Sequence, residues 1–184
     1  MIRSKRYTAA ALLIGSVVCA LDAASKVVAV ADLTSHRQVV LLGGLLTFRL
    51  YRNPGAAFSF GPSYTVIYAL IAVGVLVGII RVSGRLRSWP WAVALGLLLG
   101  GAAGNLVDRL FRAPGPLHGA VVDWIKLAYF PPVFNIADSA ITVGAALLVL
   151  ASVSGWRLDG GRSRPGEKTR PAATDGPRPA EPGG

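Results

Sequence analysis

The sequence predicts an all-α membrane protein: four transmembrane helices with a small extracytoplasmic β-like cradle. Three observations carry this. Of 184 residues, 53% are hydrophobic and only 15% charged, and the apolar residues are gathered into long runs, where a soluble domain would alternate burial and exposure. Four runs, approximately 7–31, 64–82, 89–110 and 136–156, reach the roughly 20 apolar residues needed to cross the hydrocarbon core. Basic residues collect at the ends of these runs.

Taken in order, the first run follows Arg3, Lys5 and Arg6, a start that also resembles a signal peptide. Cys19 in GSVVCALD invites a lipoprotein reading, but Val18 stands where a small residue is expected and the apolar pattern continues past Asp22 and Lys26. As the only cysteine, Cys19 has no partner for a disulfide within the chain. The loop 32–63 comes next. In TFRLYRNPGAAF, Phe48 and Leu50 alternate with Thr47, Arg49 and Tyr51, the pattern of a half-exposed strand. NPG then forces a turn, and Gly55, Ala56 and Ala57 leave the backbone open to a second chain. An interfacial hairpin and a substrate cradle both suit this segment.

The second and third runs are joined by Arg81, Arg85 and Arg87, and the fourth is followed by Arg157, Arg162, Arg164, Lys168, Arg170 and Arg178. By the positive-inside tendency these connections and both termini are cytoplasmic, and the loops 32–63 and 111–135 face outward. A net charge of +10 distributed in this way is not the footprint of a nucleic-acid surface. Residues 1–156 form one predicted domain. The remainder, 157–184, is rich in Gly, Pro and charge and reads as a disordered basic tail. GGLL and GGAAG lie in apolar surroundings, where glycine permits close helix packing.

An ionisable group at membrane depth costs at least about 2.5 kcal/mol, so each one asks for a partner or a role. Asp22 and Lys26, at i and i+4, stand on one helical face and suit a structural ion pair anchoring a loop or neighbouring helix. Asn105, Asp108 and Arg109 fall within one turn at the end of the third run. Arg109 pairing with Asp108 is one reading; holding a peptide or orienting a carboxylate is the other. Asn135 is a good N-cap for the last helix, and Asp138 three residues later suits its positive end.

Asp123, in GAVVDWIKL, is the remaining acid of interest. WIKLAYFPPVFNIA is short enough to fold back and bring Asp123 and Asp138 together. Two carboxylates sharing a site do not both ionise easily, so one holds a proton near neutral pH. Such a pair can split a peptide with water, the charged acid taking a proton and the neutral one serving the carbonyl and the leaving amine. Other schemes lack residues. His36 and His118 have no local nucleophile motif, no HExxH or cysteine pair suggests zinc, and for a Ser/Lys dyad on Lys26 the adjacent Ser25 points elsewhere on a helix.

These residues form an ordered set: D-x-x-x-K at Asp22 and Lys26, N-x-G-A-A-F at Asn53, Gly55, Ala56, Ala57 and Phe58, G-N-x-x-D-R at Asn105, Asp108 and Arg109, V-V-D at Asp123, and F-N-x-A-D at Phe134, Asn135, Ala137 and Asp138. With four helices in this order, the chain resembles the bacterial lipoprotein signal peptidases (signal peptidase II) over 7–156. The resemblance implies a membrane aspartyl endopeptidase that cuts diacylglyceryl-modified prolipoproteins on the amino side of the lipidated cysteine. It places Asp123 and Asp138 as the catalytic dyad, and Asn53, Gly55, Asn105, Asp108, Arg109, Asn135, Asp22 and Lys26 at substrate-binding or dyad-supporting positions. It implies no cofactor, no metal and no covalent intermediate; membrane lipids are expected partners and the chain a monomer. A small transporter relaying protons through Asp22, Lys26 and Asp138, or a membrane scaffold with replaceable acids, are the rival classes.

Overall fold

The computed structural model describes residues 2–33, 37–55 and 65–162. The features expected at His36, Ala56, Ala57, Phe58, Tyr64 and 163–184 lie outside the described residues. Four helices, α1 (Ile2–Asp32), α2 (Thr65–Ser83), α3 (Trp89–Phe111) and α4 (Ile136–Val153), account for most of the described residues. Each is long and apolar enough to cross a membrane.

α3 is the central helix, packed against all three others. Its sequence explains why. Gly96, Gly100 and Gly104 recur every fourth residue and form a flat stripe against α1. A Cβ on Gly104 would fall 2.6 Å from Asp22 Oδ2, and one on Gly100 would fall 2.6 Å from the Gly15 carbonyl. Of the two glycine stretches, GGAAG therefore packs helices as expected. GGLL does not: Gly43 and Gly44 have φ of 64° and 96° and sit in an exposed turn with nothing near their Cβ positions.

That turn belongs to a four-stranded antiparallel sheet of β1 (Val39–Leu41), β2 (Leu46–Asn53), β3 (Val121–Leu127) and β4 (Val133–Phe134), in that order. A short 3-10 turn (Leu42–Gly44) joins β1 to β2. The expected strand in the first loop is thus present. β3 adds to the expectation, because the loop 111–135 contains a hairpin with Ile125 opposite Phe134 and Lys126 opposite Val133. A register shift in β2 between Phe48 and Tyr51 lets Tyr51 face Asp123.

The opposite end of the bundle is closed by a second cluster. Tyr7, Ile79, Leu86, Ala92 and Leu95 are buried together with Trp91 and Leu158 packed against them. α4 ends at Val153 rather than at residue 156. The Trp156 N–H returns to the Ala151 carbonyl at 2.9 Å and the Gly155 N–H to Ser152 at 3.1 Å, with Gly155 at φ 76°. This pair of bonds around a left-handed glycine stops a helix. Residues 157–162, expected to start the tail, instead continue as an ordered turn. Arg87 N–H bonds the Leu158 carbonyl at 2.9 Å, and Trp156 bridges to Arg162.

Candidate active site

The β3–β4 hairpin returns the chain directly into α4, so Asp123 on β3 and Asp138 in the first turn of α4 approach the same place. Asn135 stands between them. Its side-chain oxygen accepts the Asp138 N–H at 2.8 Å, and the Asp138 carboxylate reciprocates on the Asn135 N–H at 3.3 Å, a complete capping box. The Asn135 amide nitrogen then donates to Asp123 Oδ1 at 2.7 Å. The cap foreseen at Asn135 therefore also holds the other acid.

Each carboxylate has a second asparagine. Asn53 Nδ2 donates to Asp123 Oδ2 at 2.9 Å. Asn53 lies opposite Val121, so Asp123 is its diagonal neighbour on the same sheet face. Asn105 Nδ2 donates to Asp138 Oδ1 at 2.7 Å. Asp123 is only 1% exposed, whereas Asp138 is half-buried. Burial first, and then the neighbouring charge of Asp138, push the Asp123 carboxyl up to about 7, against the lowering pull of the Asn53 and Asn135 bonds.

Beneath the pair lies an ionic network centred on Lys26, itself 1% exposed. Its ammonium meets Asp22 at 2.6 Å, Asp108 at 2.8 Å and Asn105 Oδ1 at 3.1 Å, which uses all three of its donors. Each partner passes the anchorage on. Asp22 accepts the Ala137 N–H at 2.9 Å, fixing the start of α4, and Asp108 accepts the Val122 N–H at 3.1 Å, fixing β3 beside Asp123. Asp22 and Lys26 do form the expected pair. Asp108, however, is bound to Lys26 and Arg112, not to Arg109. On a helix the residue four places on, Arg112, shares a face with Asp108, and the adjacent Arg109 does not. Ser25 points its hydroxyl at the Asp22 carbonyl, away from any dyad with Lys26.

Arg109 turns towards the acids, with its guanidinium over the ring of Tyr68 at 5.4 Å and in electrostatic contact with Asp123 and Asp138. Its Nη1 is buried and has no hydrogen-bond partner among the described residues. Gly55, at φ 111°, belongs to the same corner. Its N–H closes a turn on Asn53 Oδ1 at 2.9 Å, and a Cβ there would meet the Tyr68 ring at 3.0 Å. Tyr68 escaped the sequence reading because nothing local marks a tyrosine one turn into an apolar helix. Beside Asp138 a largely apolar groove of about 480 Å³ runs between Leu127, Phe130, Phe134 and Val143. Among the described residues no three His, Cys, Asp or Glu side chains are grouped as metal ligands.

Comparison with known proteins gives this arrangement its context. The signal peptidase II family, Peptidase_A8, matches residues 14–154. The chain is 49% identical over 170 residues to a lipoprotein signal peptidase of Mycolicibacterium smegmatis, covering 92% of this chain and 72% of the relative. It is 51% identical over 158 residues to one from Streptomyces griseus, covering 86% and 80% respectively. A bacterial membrane enzyme solved by the in meso method superposes with a TM-score of 0.69 at 27% identity, over 78% of this chain and 87% of that one. Four spanning helices with an antiparallel sheet at one end, and these matches across nearly all of that body, establish a multi-pass membrane peptidase that belongs to the signal peptidase II family.

Proposed function

We propose that this protein removes signal peptides from diacylglyceryl-modified prolipoproteins, cutting on the amino side of the lipidated cysteine with water activated between Asp123 and Asp138. The observation that carries the mechanism is the unequal environment of the two acids: a buried Asp123 with its carboxyl near 7 beside a half-buried Asp138 in a helix's first turn. A pair so tuned holds one proton at neutral pH.

In this reading Asp123 is the neutral acid and Asp138 the charged base. Asp138 takes a proton from water as the oxygen adds to the scissile carbonyl, while the Asp123 proton hydrogen-bonds the carbonyl oxygen. As the C–N bond breaks, Asp123 delivers its proton to the departing amine. The pair is left with one proton, now on Asp138, and redistributes it before the next turnover. Asn53, Asn105 and Asn135 hold the carboxylate oxygens. Arg109 Nη1, unpaired among the described residues, is available to a substrate carbonyl, and Gly55 keeps the backbone beside it open to the extended peptide. Asp22, Lys26 and Asp108 brace the site from below.

The apolar groove touching Asp138 suits a substrate whose leader is an apolar helix and whose cysteine carries lipid. Both reach the site by lateral diffusion, with membrane lipids as neighbours. The basic residues at the α2–α3 connection and after α4 favour termini in the cytoplasm and the dyad at the outer face. Residues 1–156 act as the peptidase domain. One chain supplies every residue of the site, which supports a monomer.

The test uses wild type, Asp123→Asn and Asp138→Asn purified in detergent, each offered a diacylglyceryl-modified prolipoprotein and its unlipidated counterpart. Wild type is expected to cut only the lipidated form, and each variant to be folded and inactive. Cleavage by both variants would give the chemistry to another group; no cleavage by folded wild type would favour a transporter.

A further inference from the structure

The bundle has a second polar end, separated from Asp123 by the length of the helices. There α3 begins and α4 ends, and a cavity of about 500 Å³ opens between Trp91, Ser152, Trp156 and Leu158, with Arg85, Arg157 and Asp159 at its mouth. The walls are firmly held. Trp91 Nε1 donates to the Trp156 carbonyl at 2.8 Å, Leu158 packs into the buried cluster, and Arg162 lies over the Trp156 ring at 5.1 Å.

The charge at this end is one-sided. Arg81, Arg85, Arg87, Arg157 and Arg162 lie in the segments at that end, Arg85 and Arg157 lining the cavity itself, and Asp159 is the one acid among the described residues of that end. Asp159 contacts Arg157 Nη2 at 3.0 Å and accepts the Gly161 N–H at 3.1 Å. A guanidinium has five N–H donors, so Arg157 keeps several for another acceptor. Arg85 has no ion pair among the described residues. Val149 and Val153, exposed on α4, flank Ser152 of the cavity wall.

We infer that this cavity binds the phosphate of an anionic phospholipid, with Arg85 and Arg157 donating to its oxygens and the acyl chains lying along the end of α4. Arginine matches a phosphate bidentately, and tryptophan is at home at the membrane boundary where such a headgroup lies. Juxtamembrane arginines are also drawn to anionic lipid by the charge of the leaflet. The apolar walls and the exposed Val149 and Val153 of α4 favour a lipid over a free anion. The chain's own segment 163–184 is a poorer occupant, since its four basic residues outnumber its three acidic ones.

The test takes the full chain in detergent and titrates phosphatidylglycerol, phosphatidylcholine of the same acyl chains, and inorganic phosphate, reading bound lipid by native mass spectrometry and Tm by scanning calorimetry. Phosphatidylglycerol is expected to bind and raise Tm while the other two do not. Arg85→Gln should weaken that binding about tenfold, Asp159→Asn should tighten it, and both should leave prolipoprotein cleavage in detergent unchanged. Equal binding of phosphatidylcholine, full affinity in Arg85→Gln, or an equal shift with inorganic phosphate overturns the lipid site. Binding that emerges only after residues 163–184 are removed overturns it in favour of the tail.

Discussion

The side-chain amide of Asn135 reaches Asp123 Oδ1 at 2.7 Å while its oxygen caps the helix that carries Asp138. One side chain thereby sets the spacing of both carboxylates. Asn135→Ala should lower kcat/KM by roughly twofold to tenfold, the worth of a hydrogen bond to a neutral group, and lower stability by about 1 kcal/mol through the lost cap. Steady-state cleavage and a thermal melt check the two effects separately. A variant with normal kcat/KM would mean that the amide does not position Asp123.

The Asp123 carboxyl, near 7 in the folded chain against an ordinary 3.8, makes both activity and stability depend on pH. Between about 4 and 7 the folded state binds the extra proton, so stability falls as pH rises through this window and levels off above it. Asp123→Asn should flatten that slope in melts recorded across pH. On the proposed assignment, cleavage should decline above about pH 7 as Asp123 loses its proton. A kcat/KM flat from pH 6 to 9 would remove Asp123 from that role.

Lys26 neutralises two buried acids at once, Asp22 at 2.6 Å and Asp108 at 2.8 Å. Lys26→Met leaves both without that cation in a buried setting, a change that costs about 3–5 kcal/mol for one broken buried pair. The expected result is a large drop in Tm with activity falling alongside. Adding Asp22→Asn should restore part of the Tm. If Lys26→Met melts like wild type, the network does not brace the site.

Gly104 permits a contact rather than making one. Gly104→Ala places a methyl 2.6 Å from Asp22 Oδ2, pushing that carboxylate against its bonds to Lys26 and the Ala137 N–H. Overpacking of this kind costs typically about 1–3 kcal/mol, read as a lower Tm. Gly74→Ala on α2, where nothing lies within 4 Å of the new methyl, should not lower Tm.

Four spanning helices were legible in the sequence because a long apolar run is a local property: no soluble arrangement hides it and the bilayer demands it. The Asn135 cap and the Asp22–Lys26 pair were legible for the same reason, since helical spacing alone sets them face to face. The hairpin between Asp123 and Asp138 needed only the short segment joining them. What the sequence by itself did not decide was where the asparagines and Arg109 send their donors. Asn53 meets Asp123 across 70 residues, Asn105 meets Asp138 across 33, and Lys26 meets Asn105 across 79. Such contacts depend on strand register and on how closely α1, α3 and α4 pack, which no local pattern encodes. The same holds for Arg112 displacing Arg109 as the partner of Asp108, and for the turn 157–162, whose Leu158 is kept in place by a core assembled from three helices. The sequence determined which groups are present and on which helix or strand; tertiary packing decided which carboxylate is buried deeply enough for its pKa to rise.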